Sequence, residues 1–129
     1  MTGPTDSDPI LIDSSGWLEN LTDGPKADLF SPYFGQVQNL LVPSIVIYEV
    51  HKILVIRQSS TLADRFLSAA LRCKVTALDE LIALSASVLS IDHHLAMADA
   101  IIFATARHYK SKLITSDTHF VNLPGVTLL

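Results

Sequence analysis

The 129-residue sequence predicts a single α/β domain built on a mostly parallel sheet of about five strands with helices on both faces. Three observations lead there. Short β-branched or aliphatic runs alternate with longer stretches of helical periodicity, and parallel neighbours in a sheet need helical crossovers of that kind. No linker, internal repeat or low-complexity tract divides the chain. The composition, 49% hydrophobic and 17% charged with a mean hydropathy of +0.37, suits one packed core and excludes disordered, collagen-like and disulfide-framework classes.

The elements follow in order. Residues 1–9, MTGPTDSDP, are polar and carry no Lys or Arg ahead of an apolar run, so they read as a disordered leader before a domain spanning 10–129. Ile10-Leu11-Ile12 predicts the first strand, and Asp13-Ser14-Ser15 the turn or cap that ends it. Apolar positions at Trp17, Leu18, Leu21, Leu29 and Phe30, interrupted by Asp23-Gly24-Pro25, predict two short helices. Leu40-Leu41-Val42, bounded by Pro43, is a second strand. Ser44 is the expected cap of a helix reaching Arg57, and a further helix runs from Ser60 or Thr61 to about Arg72. Lys74 to Leu78 reads as an edge strand. Asp79 caps a helix ending near His93-His94, another runs from Met97 to Tyr109, and Leu113–Thr115 and Val126–Leu129 are the closing strands.

Function classes narrow by elimination. No segment approaches the ~18 consecutive apolar residues of a membrane span, and the single Cys73 forms no internal disulfide, so a cytoplasmic protein is expected. A net charge of −4 argues against broad adhesion to nucleic acid or anionic lipid, but not against a metal. The glycines form neither a dinucleotide fingerprint nor a phosphate-cradling loop, and the Gly-x-Ser-x-Gly elbow is absent.

Four acids stand where the pattern asks for something else. Glu49 lies four residues after Ile45 and four before Ile53, and Asp99 lies between Leu95 and Phe103 at the same spacing, so both are expected on core-facing stripes. A carboxylate there is costly unless it is paired, hydrogen-bonded or metal-bound. Asp13 and Asp117 each follow a strand. In a parallel sheet, strand ends and the starts of the following helices share one rim, where ligands bind, so all four acids can face one cleft. Like charges gathered this way penalise the metal-free fold, and asparagine at Asp13 or Asp99 is expected to relieve it.

At these residues the chain resembles a family. Asp13-Ser14-Ser15 after a strand, Glu49 in Ile47-Tyr48-Glu49-Val50, the segment Leu95 to Ala106 around Asp99, and Thr115-Ser116-Asp117-Thr118-His119-Phe120 look like the successive motifs of PIN-domain nucleases, especially the VapC-type toxins of bacterial toxin–antitoxin pairs. The resemblance runs from Ile10 to Leu129. It implies an Mg2+- or Mn2+-dependent endoribonuclease that cleaves RNA and is inhibited by a cognate antitoxin. It carries the acidic quartet onto Asp13, Glu49, Asp99 and Asp117, with Ser15 and Thr115 as supporting hydroxyls. Asp13 and Asp99 are then expected as direct metal ligands, Asp117 as a ligand directly or through water, and Glu49 as the holder of a water. No strong basic cluster marks the RNA path.

Two rival readings are a non-catalytic PIN-like binding module and a different Mg-dependent α/β phosphoryl hydrolase with Asp13 as nucleophile. The second would want another acid two residues on, where Ser15 stands. His93-His94 reads as a polar helix end, and Cys73 and Trp17 as packing residues. His119 is read as a surface residue that could approach a substrate phosphate. The helix from Ser44 to Arg57 is apolar nearly all round, which predicts a homodimer that also receives an apolar antitoxin segment along the helices from Ser44 to Arg72.

Overall fold

The computed structural model describes residues 8–129, so the expected leader lies, up to residue 7, outside the described residues. Five strands, β1 (Ile10–Ile12), β2 (Leu40–Pro43), β3 (Lys74–Thr76), β4 (Lys112–Thr115) and β5 (Val126–Leu128), form one sheet in the order β3-β2-β1-β4-β5. Every pairing is parallel, with Ile10 opposite both Leu40 and Lys112. The expected mostly parallel sheet is thus wholly parallel, and Lys74–Thr76 does form an edge. All four residues of β2 are buried, as are Leu113, Ile114 and Thr115 of β4, so both faces of the inner strands are covered.

Six helices cover it: α1 (Ser14–Leu21), α2 (Ala27–Phe30), α3 (Ser44–Arg57), α4 (Ser60–Ala70), α5 (Glu80–His93) and α6 (Met97–His108). Their starts have identifiable causes. Asp13 caps α1, Ser59 caps α4 by accepting the Leu62 N–H, and Asp79 caps α5 by accepting the Ile82 N–H. Ser44 is not a cap. It is the first helical residue of α3, behind Pro43, whose fixed φ suits the position before a helix. Helix α6 is buried without a break from Ala100 to Ala106, and the hydroxyl of Thr105 within that run donates to the Ile101 carbonyl.

The phase of α3 differs from expectation. Its buried face is Val46, Val50 and Leu54, one position round from the predicted Ile45–Glu49–Ile53 stripe, which is half-buried. A helix apolar on nearly every side carries no periodicity to fix its rotation, and tertiary packing chose the neighbouring stripe.

Trp17 packs edge-on against Phe34 and Phe66, at 4.8 and 5.3 Å between ring centres, and joins Phe30, Phe66, Phe103 and Phe120 in the core. Gly16 is buried in the first turn of α1, where an added Cβ would meet Ile12 Cγ2 and come within 2.7 Å of Phe30 Cε1. Gly16→Ala should therefore cost on the order of 1–3 kcal/mol by overpacking, read as a lower melting temperature. A variant melting with wild type would show that α1 can shift freely.

Candidate metal centre

Each acid reaches the carboxyl rim of the sheet by a different route. Asp13 follows β1, Asp117 lies two residues beyond β4, Asp99 is in the first turn of α6, and Glu49 is the sixth residue of α3. Asp13 is 3% exposed, and its carboxylate accepts three hydrogen bonds. Its Oδ1 accepts the Ser15 hydroxyl at 2.6 Å and the Gly16 N–H at 3.2 Å, and its Oδ2 accepts the Thr115 hydroxyl at 2.6 Å. Thr115 Oγ1 in turn accepts the Asp117 N–H at 2.9 Å, so one buried hydroxyl ties the end of β1 to the acid beyond β4.

Sequence reasoning placed Ser15 and Thr115 near the acids, and both touch Asp13. It missed Ser14 and Ser116, and it read His119 only as a surface residue that could approach a phosphate. Ser14 Oγ donates to Glu49 Oε1 at 2.5 Å, joining α1 to α3. Ser116 donates to Ser15 Oγ from both its backbone and its hydroxyl, each at 3.2 Å. His119 is 74% exposed, yet its Nδ1 lies 3.4 Å from Asp99 Oδ2 and 3.2 Å from Asp117 Oδ1. The Ser14 and Ser116 signals were present as hydroxyls flanking two motif acids. The His119 signal was its two-residue offset from Asp117, which a short turn converts into contact.

Ligand atoms of Asp99, Asp117 and His119 all lie within 4.8 Å of one another, a grouping able to hold a metal ion. Asp13 and Glu49 stand beside this group rather than in it. They are still close enough to act on it, since the charge of Asp117 bears on Asp13 and that of Glu49 on Asp99.

The electrostatics agree with a cation site. Burial pushes the Asp13 carboxyl above its ordinary range, against the pull of its three hydrogen bonds. Burial also raises Asp99, followed by the facing charge of Asp117, with His119 pulling the other way and Glu49 adding a further upward push. Of the nine Lys and Arg residues, Lys74 and Lys112 open strands at the opposite rim, and Arg107 and Lys110 lie at the end of α6, where a helix C-terminus favours cations.

The PIN domain family matches residues 10–126 of this chain. The chain belongs to the PIN domain family. The PIN resemblance read from the four motifs is borne out by that match. Among solved structures, this PIN domain is similar to a toxin–antitoxin complex from Klebsiella pneumoniae, at 25% identity and TM-score 0.76 over 92% of this chain and 95% of that one. It is similar in fold to VapC20 of Mycobacterium tuberculosis, a Sarcin-Ricin loop cleaving toxin, at 16% identity and TM-score 0.76 over 91% and 96%. It also resembles VapBC2 from Rickettsia felis bound to a promoter DNA fragment, at 14% identity and TM-score 0.73 over 93% and 96%. Comparison with the curated proteins finds no match.

Proposed function

We propose that this PIN domain is the toxin of a toxin–antitoxin pair and cuts RNA phosphodiester bonds with a divalent cation, Mg2+ or Mn2+. The observation that carries this reading is the convergence of Asp99, Asp117 and His119 on one point, flanked by Asp13 and Glu49, at the rim where a parallel sheet binds ligands. Asp99 and Asp117 would hold the cation, with Asp13 lending the lone pair left on Oδ2. When bound, the cation supplies a nucleophilic water and neutralises charge on the phosphoryl oxygens. Glu49, with Oε1 held by Ser14, keeps Oε2 to orient the attacking water and take its proton. Ser15 and Thr115 fix the Asp13 carboxylate so that it needs no reorganisation.

Purified protein incubated with a mixed RNA pool should cleave it with Mg2+ or Mn2+ and stop in EDTA. Full activity in EDTA would overturn the reading. A cytoplasmic location goes with an RNA substrate; among the described residues no single helix is long and apolar enough to cross a membrane.

Two protein partners belong to the same reading, a second copy and a cognate antitoxin. Helix α3 exposes Tyr48, Val55 and Ile56 on the surface expected to meet the antitoxin. The longest exposed apolar stripe is elsewhere, on α5, where Leu81, Leu84, Val88 and Ile91 are 61, 68, 57 and 72% exposed. Their spacing of three, four and three residues reads the same in both directions, so an antiparallel second α5 sets Leu81 against Ile91 and Leu84 against Val88. No Lys or Arg interrupts the helix, and the same register sets Glu80 of each copy beside Asp92 and His93 of the other, so the contact rests on the apolar stripe rather than on charge. Leu84→Glu should convert a dimer to a monomer in light scattering, and a wild type that is monomeric at high concentration would remove the homodimer.

A further inference from the structure

Among the described residues, His119 is the one side chain that brings a nitrogen to Asp99 and Asp117, and its placement is built in rather than incidental. The Asp117 carboxylate accepts the His119 N–H at 2.9 Å, and the next residue, Phe120, is fully buried, so the turn Thr118–Phe120 is pinned at both ends. Nδ1 is held almost equally between two carboxylates, at 3.4 and 3.2 Å. A single cation seated among the three groups would meet both carboxylates and the ring nitrogen together. Around a six-coordinate ion with bonds of about 2.1 Å, adjacent ligand atoms sit roughly 3 Å apart; the 3.2 Å separation is close to such an edge, and the 3.4 Å one closes to it with a small movement of an exposed ring.

We propose that His119 is a metal ligand through Nδ1, giving the centre a mixed nitrogen and oxygen donor set that selects Mn2+ over Mg2+. This rests on the reading of the domain as a metal-dependent nuclease and changes its expected chemistry from all-oxygen to mixed. Mg2+ takes oxygen ligands and keeps its waters, gaining little from imidazole. First-row transition ions gain from nitrogen donors, Mn2+ least among them but more than Mg2+. The ring's exposure leaves Nε2 to solvent, so ligation by Nδ1 strands no buried polar atom.

The test is pulsed electron paramagnetic resonance of the full-length protein with one equivalent of Mn2+, beside calorimetric titrations with Mn2+ and Mg2+. Wild type should show 14N modulation from a directly bound imidazole. His119→Gln, whose amide oxygen can stand in as a ligand, should lose the modulation and lower Mn2+ affinity at least about tenfold with Mg2+ affinity nearly unchanged. An unchanged circular dichroism spectrum is expected, because the side chain is exposed. Bound Mn2+ without 14N modulation would overturn the role of His119 while leaving a metal nuclease in place. Failure of wild type to bind either Mn2+ or Mg2+ would overturn both.

Discussion

Asp99→Asn is expected to lower RNA cleavage at least about 100-fold, the effect that follows loss of a principal charge-stabilising group. Asp99 is 19% exposed and faces Asp117, His119 and Glu49 together, so its charge acts on the centre of the site directly. The amide keeps the shape of the carboxylate, removes its charge and offers one oxygen instead of two. The fold should survive, because no hydrogen bond from elsewhere in the described residues ends on Asp99 except the contact with His119. Single-turnover cleavage, measured beside circular dichroism, decides the matter. Equal rates for variant and wild type would take Asp99 out of the chemistry.

The second large effect is on stability without metal. Asp13 and Asp99 both have carboxyls raised above their ordinary range, chiefly by burial. A group whose pKa rises on folding stabilises the fold in full below its unfolded value, near 4 for aspartate, and that contribution is lost as pH rises through the folded value. Metal-free protein should therefore melt higher at about pH 5 than at pH 7. Asp99→Asn removes a charge that faces Asp117 and should stabilise the metal-free protein at pH 7 by on the order of 1 kcal/mol. Asp13→Asn should not, contrary to the expectation from sequence. Thr115 Oγ1 already accepts the Asp117 N–H and donates to Asp13, so an amide nitrogen turned toward it strands one buried hydrogen, at a cost of about 1–3 kcal/mol. Thermal unfolding of both variants in EDTA checks this, and a destabilised Asp99→Asn would make Asp99 a structural partner.

What could be read from the sequence follows from where local chemistry decides structure. Asp79 and the Ile10–Ile12 run have one physical solution each, a helix cap and a buried strand, and both are found. The rim that gathers the acids follows from parallel connectivity, which alternating strands and helices already imply. The phase of α3 was not legible, because a uniformly apolar helix has no marked face. The part played by His119 was not legible either. Its exposure is that of an ordinary surface histidine, and its contacts depend on β4, α6 and a turn meeting in space. The α5 stripe was written plainly at positions 81, 84, 88 and 91, but exposure rather than periodicity separates a docking face from a core face, and exposure is a property of the fold.

Convergence of these side chains on a metal ion is tested most directly by thermal unfolding of wild type and Asp99→Asn at pH 7, in EDTA and again in excess Mn2+. In EDTA the variant should melt above wild type, because one repelling charge is gone. With Mn2+ the order should reverse: wild type gains stability from binding the ion to the folded state, and the variant gains far less. A variant melting below wild type in EDTA, or a wild type whose melting temperature Mn2+ leaves unchanged, would contradict the account.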